Sequence, residues 1–224
     1  VRRPGTGPTL AGIGIATALL FFVGTAADVA ALRLAAKPIP ALVLAAWVLL
    51  RCGGPLGRLT ALGLGLSAVG DGLLETGSFL SGLFAFLGAH LAYIAAFLTA
   101  DRRPARGRAV PFLAWGIGVL LLLRPGLGAM AAPVTGYVVV ICTMMWRAAA
   151  RVGSRGTPAL SAALGLAGAV AFGASDTLIA FDRFAAPVPG AGGPIMVLYW
   201  LGQCGIAASA VVACGMLPGQ ARTG

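Results

Sequence analysis

Asparagine is absent from this chain, lysine and histidine occur once each, and only six residues are acidic. Charged residues make up 10% of the sequence. A soluble domain carries about a quarter, so the chain lacks the polar surface that water requires. The four cysteines form no CxxC pair and lie mostly in apolar runs, where cysteine acts as a small hydrophobe, and we read neither a disulfide framework nor a zinc site. Long polar segments, low-complexity linkers and internal repeats are also missing, which predicts one domain over residues 1–224.

What the chain has instead is apolar length. Of its 224 residues 59% are hydrophobic, and the mean hydropathy is +0.95. This predicts an all-α integral membrane protein. Eight runs stand out: Thr9 to Leu32, Pro38 to Leu50, Leu59 to Leu74, Phe79 to Ala100, Val110 to Leu123, Leu127 to Ala149, Pro158 to Phe181 and Pro194 to Leu217. The second and fifth are shorter than the roughly 20 residues a crossing needs and also suit re-entrant or buried elements.

Basic residues decide between these readings. The net charge of +10 comes from arginines clustered between apolar runs without aromatic interleaving, which points to membrane orientation and away from a nucleic-acid partner. With eight spans, twelve of the sixteen basic residues fall on one side and four on the other; if both short runs failed to cross, the division would be ten to six. The positive-inside rule therefore predicts a bundle of eight transmembrane helices with both termini cytoplasmic, residues 1–8 and 218–224 forming short ends. We read the first run as a retained span, since no clear cleavage site follows it. A bacterial cytoplasmic (inner) membrane is the expected location. Glycines within the runs, such as Gly63, Gly65, Gly70 and Gly72, predict close helix packing.

Against this background a few ionisable residues lie inside or at the ends of apolar runs: Asp71, Glu75, His90 and Asp176. In hydrocarbon such groups are costly unless they face a partner or a wet cavity, so they mark a site. Asp71 lies about 18 Å along its span from the cytoplasmic end at 1.5 Å per residue, and Asp176 also falls in the outer half. Tyr199 and Gln203 approach the same layer from the outer end of the last run, and Lys37 stands at the outer start of the second. Ser67, Asp71 and Glu75 are spaced i, i+4, i+8, Tyr199 and Gln203 i, i+4, and His90 and Tyr93 i, i+3, so each set shares a helix face. One polar stripe per helix predicts a polar cavity. Lys37 and His90 are unique of their kind, and Gln203 is the single embedded carboxamide. A structural reading stands beside this one: Glu75 and Asp182 as solvated caps, Asp28 paired with Arg33, His90, Tyr93 and Tyr199 as packing hydrogen bonders, and Asp71 and Asp176 paired with Lys37 or Gln203.

The segments Ser67 to Leu74 and Phe79 to Tyr93 resemble the paired-helix signature of the lysoplasmalogenase-like YhhN family of multispanning membrane proteins. Lys37-Pro-Ile-Pro40 is similar to that family's entry to its second helix, Phe172 to Phe184 to its seventh, and Tyr199-Trp-Leu-Gly-Gln203 to its last. The resemblance runs in order from Lys37 to Gln203. It implies an eight-span fold and hydrolysis of the vinyl-ether bond of a lysophospholipid substrate drawn from membrane lipids, releasing fatty aldehyde and a glycerophospho-base without a cofactor. It further implies Asp71 and Asp176 as catalytic carboxyls, and Lys37, His90, Tyr93, Tyr199 and Gln203 as the pocket around the substrate; Glu75, on the helix face of Asp71, is read as substrate-binding with them. No recognisable metal-ligand spacing is present.

Two carboxyls suit that chemistry. Protonating the double bond creates an oxocarbenium ion that water captures, so one carboxyl serves as the acid and an ionised one as the stabiliser. The expected assignment is Asp176 as acid and Asp71 as the ionised partner near Lys37, with Lys37 also suited to the lipid phosphate. A proton-coupled transporter is the competing function, because facing acidic groups in a bundle also relay protons. A non-catalytic lipid-binding or assembly protein is the third.

Overall fold

A computed structural model describes residues 6–216. The predicted ends 1–8 and 218–224 therefore lie almost wholly outside the described residues, as do Arg2, Arg3 and Arg222. The described chain is all-helical: α1 (Thr6–Ala26), α2 (Ala30–Ala36), α3 (Ile39–Arg51), α4 (Gly54–Glu75), α5 (Phe79–Ala100), α6 (Val110–Leu123), α7 (Ala131–Ala150), α8 (Ala159–Phe184) and α9 (Gly192–Met216), with short 3-10 turns flanking α6.

Seven segments are long and apolar enough to cross a membrane, among them Ala30–Arg51 and Arg106–Gly126. Both runs that looked too short thus gain the missing length from their flanks. The first apolar run ends earlier than expected, at Ala26. The chain then reverses through Asp28, whose φ of 54° is left-handed, and restarts as α2. Because α2 leads into α3, Lys37 stands at an internal break and not at the mouth of a helix. The break has a simple cause: Pro38 and Pro40 offer no N–H to the preceding turn, while the Lys37 N–H still bonds Arg33 O at 3.0 Å and Leu42 N–H bonds Pro38 O at 3.2 Å. α4 is as long as its neighbours but is not among the seven, because six glycines together with Arg58, Asp71 and Glu75 dilute its apolar content.

The helices form a closed ring. α3 packs on α4, α4 on α5, α5 on α7, α7 on α8 and α8 on α9, which returns to α3 and α4; α1 lies outside α3 and α6 outside α7. The tightest seam joins α8 to α9. A Cβ added at Gly168 would come within 2.7 Å of Gly202 O and Ile206 N, backbone against backbone. Only glycine permits that approach, and the dispersion contacts it allows replace the hydrophobic drive that lipid cannot supply.

One expectation is corrected. Cys52 and Cys214, read as small hydrophobes, are joined in a disulfide with Cα atoms 5.3 Å apart. A separation of 162 residues hid the pair, and only the return of α9 to the α3–α4 corner brings the two together. Cys142 and Cys204 are free.

Candidate active site

The polar stripes do meet inside the ring, but they divide into three linked groups. The first lies at the α2–α3 break. Lys37 Nζ donates to Glu75 Oε1 at 2.9 Å, and Arg33 Nε lies 3.4 Å from Glu75 Oε2. Arg33 also reaches Asp28 at 3.0 Å, the pairing expected from sequence. Glu75 is thus no solvated cap: it closes α4 onto the break and pairs with the single lysine. A vestibule opens here, lined by Lys37, Glu75, Asp182 and Arg183 among apolar neighbours from α1, α5 and α9.

The second group is enclosed. Tyr199 Oη donates to Asp71 Oδ2 at 2.7 Å, and Tyr93 Oη donates to Gln203 Oε1 at 2.6 Å while lying 3.5 Å from Ser67 Oγ. Asp71, Tyr93 and Gln203 are buried and line neither of the two cavities at this end of the bundle. Asp71 remains within electrostatic reach of Lys37, Glu75 and Asp176. Where the stripes predicted a wet cavity, most of the polar groups have found protein partners, since an unmet polar group in hydrocarbon costs several kcal/mol.

The third group faces a cavity. Asp176 on α8 offers Oδ2 to the Tyr137 hydroxyl of α7, and His90 Nε2 of α5 lies 3.3 Å from the same oxygen and 2.9 Å from Tyr137 Oη. His90 Nδ1 has no partner. A neutral ring protonated on Nε2 fits that pattern, because it leaves an empty acceptor and not a stranded donor. Phe172, one turn before Asp176, holds the ring edge-on with centroids 4.7 Å apart and does the same for Tyr199 at 5.3 Å, so one side chain steadies a partner of each carboxyl group. The Asp176 side chain is 14% exposed. It opens on a largely apolar cavity bounded by α4, α5, α6, α7 and α8, in which Asp176, Tyr137 and Thr177 are the polar lining. This cavity and the vestibule share Leu74, Phe79 and Ile179.

Tyr137 escaped the sequence reading. The signal was available: the chain has three tyrosines, and rarity had already singled out Lys37 and His90. Arg151 escaped as well; fully buried, its guanidinium donates to Ser209 at 2.8 Å and Ser161 at 2.7 Å, which ties the end of α7 to α8 and α9. Among the described residues no group of three or more His, Cys, Asp or Glu is placed to hold a metal ion.

The match that bears on kinship covers most of the chain: the YhhN family model aligns with residues 32–210. The chain belongs to the YhhN family. Within that alignment lie Lys37, Asp71, His90, Tyr137 and Asp176, so the whole constellation sits on family sequence. Human lysoplasmalogenase TMEM86B is 35% identical over 128 residues, 53% of this chain and 52% of that protein. The chain thus spans about half the length of this curated relative. No solved structure matches it.

Proposed function

We propose that this YhhN protein is a membrane-embedded hydrolase that cleaves the vinyl-ether bond of a lyso-ether phospholipid. The observation that carries the reading is the Asp176 carboxyl, held on one oxygen by Tyr137 and His90 and turned toward an apolar cavity. The name of the human relative supports the substrate class.

In the proposed reaction Asp176 enters protonated on Oδ1, the oxygen turned away from its Tyr137 and His90 partners, and delivers that proton to the outer carbon of the C=C–O unit. The resulting oxocarbenium ion faces an Asp176 carboxylate whose new charge the Tyr137 hydroxyl and His90 N–H hydrogen-bond. Water then adds to the carbon bearing the ether oxygen, and Asp176 takes its proton. The hemiacetal collapses with a proton returned to the ether oxygen, yielding fatty aldehyde and the glycerophospho alcohol. Lys37, in the vestibule, holds the phosphate by charge. Asp71 acts from behind: by fixing Tyr199 and, through Phe172, the wall beside His90, it is a positioning residue. Eight crossings in a single domain, with both ends cytoplasmic and the site in the outer half, complete the reading.

The purified protein should release aldehyde from a lyso-ether lipid, and Asp176→Asn should remain folded yet fall at least about a hundredfold, the scale of a lost general acid. Full turnover in a folded Asp176→Asn protein would remove the proposal. The buried Asp71–Tyr199 pair favours one rival, a proton-coupled transporter. Substrate uptake into proteoliposomes without aldehyde release would decide for it.

A further inference from the structure

The apolar cavity has a direction. At one end it adjoins the charged vestibule through Leu74, Phe79 and Ile179. From there α7 runs inward past Tyr137 to Cys142 and Met145, about 7 and 12 Å farther along the helix axis at 1.5 Å per residue. The far end is shut by packing: a Cβ on Gly173 would stand 2.7 Å from Met145 Sδ, and one on Gly116 2.9 Å from Cys142 Sγ. Polar groups are therefore at the entrance, the carboxyl is part-way down, and beyond it the walls are apolar.

We propose that the alkyl tail of the substrate lies inside the bundle, passing Asp176 and ending against Cys142 and Met145, so that Cys142 sets the preference for chain length. This rests on the hydrolase reading. A headgroup at Lys37 and a vinyl ether at Asp176 leave the tail one continuation within the protein, and its burial there matches the cavity's composition. Each methylene withdrawn from water is worth about 0.8 kcal/mol, so a wall at a set depth discriminates between lengths.

The test uses the full chain carrying Cys204→Ala, which leaves Cys142 as the single free thiol beside the Cys52–Cys214 disulfide. In lipid nanodiscs the rate of Cys142 alkylation by a maleimide is measured with a non-cleavable alkyl-ether lysolipid of ten carbons and with a five-carbon homologue. The long tail should slow labelling about tenfold and the short one should leave it unchanged, the discrimination an apolar pocket achieves. Equal rates with both lipids overturn the proposal. In a second arm, Cys142→Phe should lower kcat/KM for the ten-carbon vinyl ether about tenfold relative to the five-carbon one. An equal loss on both, at an unchanged Tm, overturns it too. If the unsubstituted protein turns over no vinyl ether of any length, the hydrolase reading fails, and the labelling arm still decides where a lipid tail lies.

Discussion

Tyr137 and Asp176 are joined side chain to side chain across the α7–α8 interface, and His90 from α5 approaches the same carboxylate oxygen. Three helices thus fix one carboxyl at the wall of a cavity. The arrangement leaves the other oxygen of Asp176 free for chemistry, and it makes the tyrosine hydroxyl the element whose removal is most informative.

Tyr137→Phe keeps the ring in contact with His90, whose centroid is 5.2 Å away, and deletes the donor to Asp176. Turnover of the vinyl ether should fall on the order of tenfold to a hundredfold in kcat, with KM nearly unchanged, because the bond counts most when Asp176 becomes charged. Steady-state kinetics on the two proteins check this; a change confined to KM would contradict it.

Lys37→Ala takes from Glu75, whose side chain is 16% exposed, the nearer of its two cationic partners and leaves it Arg33 at 3.4 Å. We expect a loss of about 1–3 kcal/mol, the scale of one hydrogen bond to a charged group, seen as a lower Tm, together with a raised KM for the lysophospholipid. The double variant Lys37→Met, Glu75→Gln should regain most of the stability without regaining affinity. Recovery of both would deny Lys37 a role in binding phosphate.

Gly168→Ala forces a methyl into the α8–α9 seam, where the obstacles are backbone atoms 2.7 Å away. It should destabilise by on the order of 1–3 kcal/mol or more, as overpacking does. Gly136→Ala, whose added carbon meets nothing within 4 Å, should be neutral or gain up to about 1 kcal/mol from helix propensity. Thermal unfolding of the pair in one detergent separates seam from surface.

Asp101, in the loop between α5 and α6, is the acid-sensitive group. Burial opposes its ionisation, but the Arg103 guanidinium and backbone N–H, bonding at 2.8–3.2 Å, outweigh it and bring the carboxyl down to about 2. Its unfolded value is near 3.9, so the stabilisation is complete above about pH 4 and is lost as pH falls toward 2. Wild type and Asp101→Asn should therefore converge in Tm across that window. Parallel Tm curves from pH 5 to pH 2 would refute the assignment.

How far the sequence could see differed from residue to residue. Lys37, His90 and Asp176 were legible because hydrocarbon makes an ionisable group expensive and the composition made each conspicuous. Tyr137 was less so: its ring suits lipid as well as protein, and its partners are 39 and 47 residues away. Glu75, near the end of α4, looked like a cap, and only its meeting with Lys37 across the α2–α3 break shows otherwise. The Cys52–Cys214 link had no local signal at all.

By itself the sequence determined the class of the molecule: apolar length made it helical, and glycine made those helices pack closely, both consequences of a solvent that cannot hydrogen-bond the backbone. Tertiary structure alone decided which polar groups are spent on each other and which one faces open space. Closing the ring α3–α4–α5–α7–α8–α9 sealed Asp71 behind Tyr199 and left Asp176 at the cavity wall, although the sequence had placed both aspartates in one wet pocket. Periodicity places a residue on a helix face, but what stands opposite depends on contacts between helices distant in the chain.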